Sequence, residues 1–411
     1  MKYDVAIVGG GPAGATAGIN LIGAGLRVVI LDRARFPRLK PCAGGIRCKV
    51  YKRFQYMEPV LRSVPANLVN KIAFESPSGA ALKFESPDPL CAMVRRIEFD
   101  NALLDECKRG GIEVAEGTSI ARVAVDESGV TLTSASGRQF VADLVIGADG
   151  VNSVVAVHSG LRGPWKPSQL AIDGTEESLL SDLSVRQDTI FVYYGIGGPY
   201  GYGYVFPKAQ HVNFGIGCLH EDYKRNFVGK SYSMHLSFLE QLKQAGVISG
   251  NSQRANFHTY VLPVAGPLKR VSSSRIMLAG DAGGFVNAFT GEGIYYAMVS
   301  GEHAGRTALE AIRKSDTSGD FLRSYDKACK SEVGRELRMS VALQKRLLAN
   351  PKFIDSVVRF AGQSKSLQGP LVSFLFGGLS YEEVKRQAIV KALPGFIRYQ
   401  AEKIRYKLSG D

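Results

Sequence analysis

Tyr3-Asp4-Val5-Ala6-Ile7-Val8-Gly9-Gly10-Gly11-Pro12-Ala13-Gly14 opens the chain. A largely apolar run that stops at a glycine cluster predicts a buried strand over 3–8 and a tight turn over 9–14. A helix of small residues then runs from Ala13 to about Gly23, and 27–31 (Arg-Val-Val-Ile-Leu) predicts a second buried strand. Strand, glycine turn, helix, strand is the βαβ unit of a parallel sheet. Gly9, Gly11 and Gly14 fit G-x-G-x-x-G. In that pattern the first glycine permits the turn and the second lets backbone N–H groups approach a pyrophosphate. The third lets helix and strand pack closely. The helix N-terminus beginning at Ala13 favours the negative charge. Asp32, at the end of the second strand, is placed to accept hydrogen bonds from a ribose diol. The pattern alone is weak. Its setting between two strands, with an acid after the second, is what points to a dinucleotide.

Working outward, composition narrows the field. The chain has 411 residues, 45% hydrophobic and 22% charged, the balance of a folded protein of two or three modules. Its 46 glycines exceed the usual level of about 7%. No run is long and apolar enough to suggest a spanning helix. The N-terminus carries Lys2 and Asp4 and is not built like an export signal, so a cytoplasmic protein with reduced thiols is expected. None of the six cysteines is paired as C-x-x-C, which signals neither a zinc site nor a thiol redox pair. The net charge is +13, concentrated between residues 27 and 53, where nine basic side chains face one acid. Such a stretch suits a phosphate ligand or an anionic surface, although each residue read singly is best taken as solvated. It matches no nucleic-acid-binding pattern, so no nucleic-acid partner is expected.

The rest of the chain predicts a helix over 100–109 and a strand opening at Gly111. A three-strand meander follows over 119–125, 129–133 and 139–146. From about 167 to 265 the pattern turns to alternating, aromatic strands at 189–196, 202–206 and 211–218, the mark of an antiparallel sheet. A buried strand returns at 275–278, a helix starts at Gly291, and mixed basic and apolar helices follow beyond 320. The expected division is therefore discontinuous. A Rossmann-type α/β dinucleotide domain takes 1–70, 94–166 and 267–315, an antiparallel-sheet substrate domain takes 71–93 and 167–266, and a helical region takes 316–411.

Two further motifs choose the dinucleotide. Ile276-Met277-Leu278-Ala279-Gly280-Asp281-Ala282 is a buried strand ending in Gly-Asp, and Gly147-Ala148-Asp149-Gly150 is an Asp-Gly segment. With the glycine turn and Arg96-Ile97-Glu98-Phe99-Asp100, they stand in the order seen in the p-hydroxybenzoate hydroxylase-like flavoproteins, which this chain resembles. The resemblance implies FAD, with Asp281 on the ribityl chain, Arg96 reaching the cofactor and the strand of Ala121 near the adenine. That family often has an arginine soon after the Asp-Gly motif. Here Val154, Val155 and Ala156 stand there, which departs from its nicotinamide-docking pattern. No second G-x-G-x-x-G is present, so the reductant, NADPH or a ferredoxin-like protein, is expected to come from outside.

Three more segments resemble the geranylgeranyl reductase family, which saturates isoprenoid double bonds. They are Lys40-Pro41-Cys42-Ala43-Gly44-Gly45, Tyr200-Gly201-Tyr202-Gly203-Tyr204-Val205-Phe206-Pro207-Lys208, and Thr290-Gly291-Glu292-Gly293-Ile294. The resemblance implies that Cys42 and Ala43 lie beside the isoalloxazine, with Gly291, Gly293 and Ile294 at its other edge. Cys42, Tyr202 and Tyr204 are then the candidate proton donors. Tyr204 stands where relatives carry tryptophan. On the residues alone, alternation puts Tyr200, Tyr202, Tyr204 and Phe206 on one strand face. Phe191 and Tyr193 offer a second alternating pair. Such walls suit a long apolar substrate, but an ordinary aromatic core is an equal alternative. A flavin monooxygenase and a non-enzymatic prenyl-binding protein also remain open. A flavin halogenase is disfavoured because Trp165 is the only tryptophan. Finally, 382–411 mixes seven basic residues with a partial apolar stripe, which suggests a helix lying on an anionic membrane face.

Overall fold

The computed structural model describes residues 2–196, 201–348, 350–363, 365–376, 379, 383 and 386. Its first sheet grows from the glycine segment. Lys2–Val8 is a strand, Pro12–Ile19 a helix and Val28–Asp32 a second strand, buried along its whole length. The 2–8 strand lies parallel between 28–32 and Gln139–Gly147, and Ile276–Leu278 adds in parallel beyond that. The register sets Val8 beside both Leu31 and Gly147, and Gly147 beside Leu278. The glycine turn, Asp32, the Asp-Gly segment and the Gly-Asp segment therefore leave the sheet at one edge. That edge is the carboxyl end of the strands, where open parallel sheets bind ligands. The predicted meander is present as Ile120–Asp126, Gly129–Ser134 and Gln139–Gly147, antiparallel throughout.

Small residues in the first helix have a packing cause. Helix Ile294–Arg313 crosses it so closely that a Cβ on Gly301 would lie 2.2 Å from the Ala13 carbonyl oxygen. One on Gly305 would lie 2.7 Å from that of Ala17. The helix predicted from Gly291 begins three residues later, because Gly291 holds φ +71°, outside the helical region. The helix predicted from Asp100 begins earlier, at Arg96.

The second sheet runs in the order Phe257–Pro263, Leu170–Leu179, His211–Leu219, Tyr202–Pro207, Thr189–Tyr194, Lys71–Glu75, Ala81–Glu85. Its pairs are antiparallel except 189–194 with 71–75, which is parallel because the 71–85 hairpin joins from an earlier stretch of chain. Helix Ser231–Gln244 covers one face through Phe238, Leu239 and Leu242, against Tyr193, Val205 and Phe214. The opposite face borders a chamber. Helices Pro351–Gln363 and Lys365–Leu375 pack on the hairpin end of the sheet, with Ile354, Val358 and Val372 against Ile72, Phe74 and Leu82.

The basic stretch divides: Arg27, Arg33, Arg35, Lys49 and Lys52 are exposed, as expected of solvated residues, whereas Arg38, Lys40, Arg47 and Arg53 are partly or fully buried. Arg47 is ion-paired with Glu292, Arg53 with Glu302 and Glu332, and Arg38 with Asp100. Arg38 thereby ties its loop to the Arg96–Arg109 helix, Arg47 to the segment just before the 294–313 helix, and Arg53 to that helix itself.

Candidate active site

Two cavities meet at the carboxyl edge of the first sheet. The first is lined by the glycine turn (Gly9, Gly11, Ala13), by Asp32, Arg33, Arg38 and Lys40, and by Arg96, Asp149 and Asp281. Gly9 has φ +105°, and a Cβ there would lie 2.3 Å from the Ala148 carbonyl oxygen. One on Gly14 would lie 1.8 Å from the Gly9 oxygen. At Gly11 the space is open, and the nearest atom is Arg38 Nη2 at 3.5 Å. Each glycine thus has its own cause, two from close packing and one from room left for a ligand.

The charges around this cavity are ordered from behind. Asp100 is fully buried. It accepts from Arg96 at 2.6 and 2.8 Å and pairs with Arg38 at 3.0 Å. Burial pushes its carboxyl up, but Arg96, Arg38 and Lys40 together hold it below the ordinary range. Arg38 Nη1 is buried with no hydrogen-bond partner among the described residues. A buried, unpaired guanidinium nitrogen beside open glycine backbone fits the oxygens of a phosphate. Asp32 accepts from the backbone N–H of Gly10 at 2.7 Å and of Ala34 at 2.8 Å, which fixes the carboxylate at the cavity wall. Desolvation raises Asp281, with Lys40 and Arg96 opposing, as suits a carboxyl facing a neutral polyol.

The second cavity is an apolar chamber on the second sheet. Tyr202, Tyr204 and Phe206 line it from one strand, with successive ring centroids 5.6 and 5.1 Å apart. Tyr194 continues the wall, 6.0 Å from Tyr202 and stacked 6.1 Å from Phe289. Ile72, Phe74, Ile190, Val192, Leu375 and Phe376 close the far end. Glycines carry the neighbouring strand beneath the aromatic rings. A Cβ on Gly215 would lie 2.5 Å from the Tyr204 hydroxyl. That hydroxyl donates to Asp173 Oδ2 at 2.9 Å and lies 3.0 Å from the Thr175 hydroxyl.

Lys40, Cys42, Tyr260, Leu262, Gly291, Gly293 and Ile294 line both cavities. Lys40 Nζ sits 3.2 Å from the Tyr260 ring centroid, and burial lowers its pKa to about 8. The Lys40–Gly45 loop is pinned from two sides. Arg47, just beyond it, is ion-paired to Glu292 between Gly291 and Gly293 and bonded to the Tyr296 hydroxyl at 3.1 Å. Lys208 is 1% exposed, paired with Glu177, and donates to the Cys42 carbonyl at 3.5 Å.

Gly9, Gly11, Ala13, Asp32, Cys42, Arg96, Asp281, Gly291, Gly293 and Ile294 all line the first cavity, with Gly14 packed behind it. Ala43, Tyr202, Tyr204 and Phe206 line the second. Ala121 lines neither: Thr118, Ser119 and Ile120 take that position, and Ala121 points outward on the alternate strand face. Phe191 and Tyr193 also point away, Tyr193 against Phe238 at 5.5 Å. Alternation instead sends Ile190, Val192 and Tyr194 into the chamber. Tyr200 lies outside the described residues, as does 382–411 apart from positions 383 and 386. Sequence reasoning passed over Arg38, Lys40, Asp173, Lys208, Tyr260 and Glu292. Lys40, Lys208 and Glu292 stood inside the quoted segments without a role of their own, Arg38 stood in the basic cluster after the second strand, and Asp173 and Tyr260 gave no signal.

The fold and the first cavity define an FAD-binding flavoprotein oxidoreductase. The FAD binding domain family model matches residues 2–210. The chain belongs to that family and, within it, to the geranylgeranyl reductases. It is 29% identical over 97% of its length to digeranylgeranylglycerophospholipid reductase 2 of Methanothermobacter thermautotrophicus, covering 98% of that protein. It is 30% identical to the Methanopyrus kandleri protein of the same name, covering 84% of this chain and 86% of that one. Among solved structures, a geranylgeranyl bacteriochlorophyll reductase-like protein from Thermoplasma acidophilum superposes with TM-score 0.80 at 22% identity, over 94% and 98% of the two chains. A flavin-dependent brominase superposes with TM-score 0.72 at 17% identity, over 97% and 100%.

Proposed function

We propose that this protein saturates carbon–carbon double bonds of a polyprenyl chain, such as the geranylgeranyl groups of a lipid. The observation that carries this reading is the shared wall. A cavity built for a dinucleotide opens through Lys40, Cys42, Tyr260 and Gly291–Ile294 into an apolar aromatic chamber. FAD, when bound and reduced, supplies the hydride. The chain's own residues hold the cofactor through the glycine turn, Arg38, Arg96 and Asp281. Backbone N–H groups at 291–294, ahead of the 294–313 helix, favour negative charge at that edge. Tyr202, Tyr204, Phe206 and Tyr194 receive the hydrocarbon and exclude water. Cys42 belongs to the wall between cofactor and alkene.

We assign 1–70, 94–166 and 267–315 to cofactor binding, 71–93 and 167–266 to the substrate, and 316–411 to a C-terminal helical region, of which Gln344, Leu375 and Phe376 line the chamber. The outside donor in this reading is NADPH or a ferredoxin-like protein, and a lipid substrate brings the enzyme to a membrane surface from the cytoplasmic side. No helix among the described residues is long and apolar enough to cross a bilayer. Co-sedimentation with anionic but not neutral liposomes, lost at high salt, is the expected behaviour for such surface contact.

The experiment is anaerobic incubation of chemically reduced protein with a geranylgeranyl lipid, read by mass spectrometry. Product heavier by units of two hydrogens is expected. Substrate recovered unchanged would sink the reading, and oxygenated product in air would favour a monooxygenase. Cys42→Ala should keep its FAD and lose less than about tenfold in turnover, as a wall residue does. A loss of about a hundredfold or more would instead make Cys42 the general acid.

A further inference from the structure

Saturating an alkene needs a proton as well as a hydride, and the chamber holds one carboxyl group suited to supply it. Asp173 lies in the Leu170–Leu179 strand, opposite Gly217 on one side and Tyr260 on the other. Tyr260 lines both cavities, which sets Asp173 at the cofactor end of the chamber. The other charged groups lining the chamber are Lys40, Arg47 and Glu292. Arg47 and Glu292 neutralise each other. Asp173 has no cation within ion-pairing range among the described residues. Its Oδ2 accepts the Tyr204 hydroxyl at 2.9 Å, and its Oδ1 is buried with no hydrogen-bond partner among the described residues.

A carboxylate with one orphaned, dehydrated oxygen is costly. The neutral acid, whose second oxygen carries a proton, is the form such a site favours. The groups that face Asp173 are Tyr204 and Tyr202 from the 202–207 strand, Cys218 from the 211–219 strand, Tyr260 from the 257–263 strand, and Lys40 with Cys42 from the loop. Desolvation raises the Asp173 pKa to about 6, against the opposing pull of Tyr204 and Lys40. The tyrosines are poorer acids here. Burial pushes Tyr202 and Tyr204 far above the ordinary phenol range, and the Tyr204 proton is already committed to Asp173.

We propose that the carboxylic acid of Asp173 is the general acid of the reaction, a catalytic residue, with Tyr204 and Lys40 as the positioning residues that steady its conjugate base. The inference rests on the alkene-reductase reading. In the step, hydride from the reduced cofactor forms a C–H bond at one alkene carbon. The π pair takes the proton at the other carbon as the Asp173 O–H bond breaks. The carboxylate left behind is stabilised by the Tyr204 hydroxyl and the Lys40 ammonium, and is reprotonated from solvent between turnovers.

The test compares wild type, Asp173→Asn and Tyr204→Phe as FAD-loaded full-length proteins. Wild-type turnover should fall as pH rises through about 6 to 7, because the acid must be protonated. Asp173→Asn should hold FAD normally, lose about a hundredfold or more in single-turnover rate and lose that pH limb. Tyr204→Phe removes a hydrogen bond that favours the carboxylate. Its limb should move to higher pH, with activity lowered but still measurable. Infrared difference spectra between pH 5 and 8 give a readout independent of turnover. They should show a protonated-carboxyl band in wild type that Asp173→Asn lacks, shifted to higher pH in Tyr204→Phe. An Asp173→Asn protein as fast as wild type, or with the same pH limb, overturns the assignment. So does a Tyr204→Phe protein that is inert at every pH, since Tyr204 would then be the donor. Should Asp173→Asn fail to fold, the movement of the limb and band in Tyr204→Phe decides. A wild type that saturates no polyprenyl overturns the underlying reading instead.

Discussion

The two cavities share a wall but are made of different materials. The dinucleotide cavity is mainly backbone: a glycine turn, strand ends and helix starts, with Arg38, Arg96 and Asp281 added. The chamber is side chains projecting from one face of a sheet, Tyr202, Tyr204, Phe206 and Tyr194 above Gly215 and Gly217. Backbone tolerates almost no added atom, because its position is set by the whole sheet. Side chains on a sheet face can shift rotamer without moving the sheet. One fold can therefore keep its cofactor and change its substrate.

The sharpest way to break this contrast is Gly14→Ala. The new Cβ would sit 1.8 Å from the Gly9 carbonyl oxygen, inside the turn proposed to hold the pyrophosphate. The turn must open, and the expected result is a colourless protein with FAD affinity reduced by more than about a hundredfold. Bound FAD, released by denaturation and read by fluorescence, measures it. Normal flavin content would mean that the turn is not the cofactor's backbone mould.

Arg38→Ala should have a smaller effect on the same cavity. It removes the unpaired Nη1 but leaves Asp100 its two bonds to Arg96. A charge-assisted hydrogen bond is worth about 1.5–3 kcal/mol, so affinity should fall by about tenfold to a hundredfold. The residual binding should depend less on salt than in wild type. Unchanged affinity would show that Arg38 serves only Asp100.

Legibility in the sequence follows the same division. The glycine turn, Asp32, Arg96 and Asp281 were readable because backbone sites impose fixed residue types at fixed spacing. The convergence of motifs some 270 residues apart follows from the strand register of Val8, Gly147 and Leu278. The aromatic wall was half readable. Alternation grouped Tyr202, Tyr204 and Phe206, but it could not say which face of the neighbouring strand joins them, so Phe191 and Tyr193 were expected where Tyr194 and Val192 stand. Asp173 gave no signal. It matters through cross-strand pairing with Gly217 and Tyr260 and through a hydroxyl on a third strand, and spacing along the chain encodes none of these. Ala121 was named for the backbone of its strand; the structure turns its side chain to the outer face, and the cavity is lined one to three residues earlier by Thr118, Ser119 and Ile120.

Gly215→Ala probes the chamber in the same way that Gly14→Ala probes the turn, and its effect should be the smallest. The added methyl would meet the Tyr204 hydroxyl at 2.5 Å, and that atom is the far end of a side chain. The ring can swing into the chamber at the cost of its contacts with Asp173 and Thr175. Losing the two hydrogen bonds costs about 1–3 kcal/mol, a few degrees in Tm for a chain of this size. FAD content should be unchanged, because no cofactor-lining residue moves. The displaced ring narrows the chamber beside Asp173, so longer polyprenyl chains should lose more turnover than shorter ones. Turnover measured on a series of prenyl lengths, alongside flavin content, checks both parts. A variant that loses FAD would mean that the chamber is as rigid as the turn. One that reduces every length equally well would mean that Tyr204 does not border the substrate path.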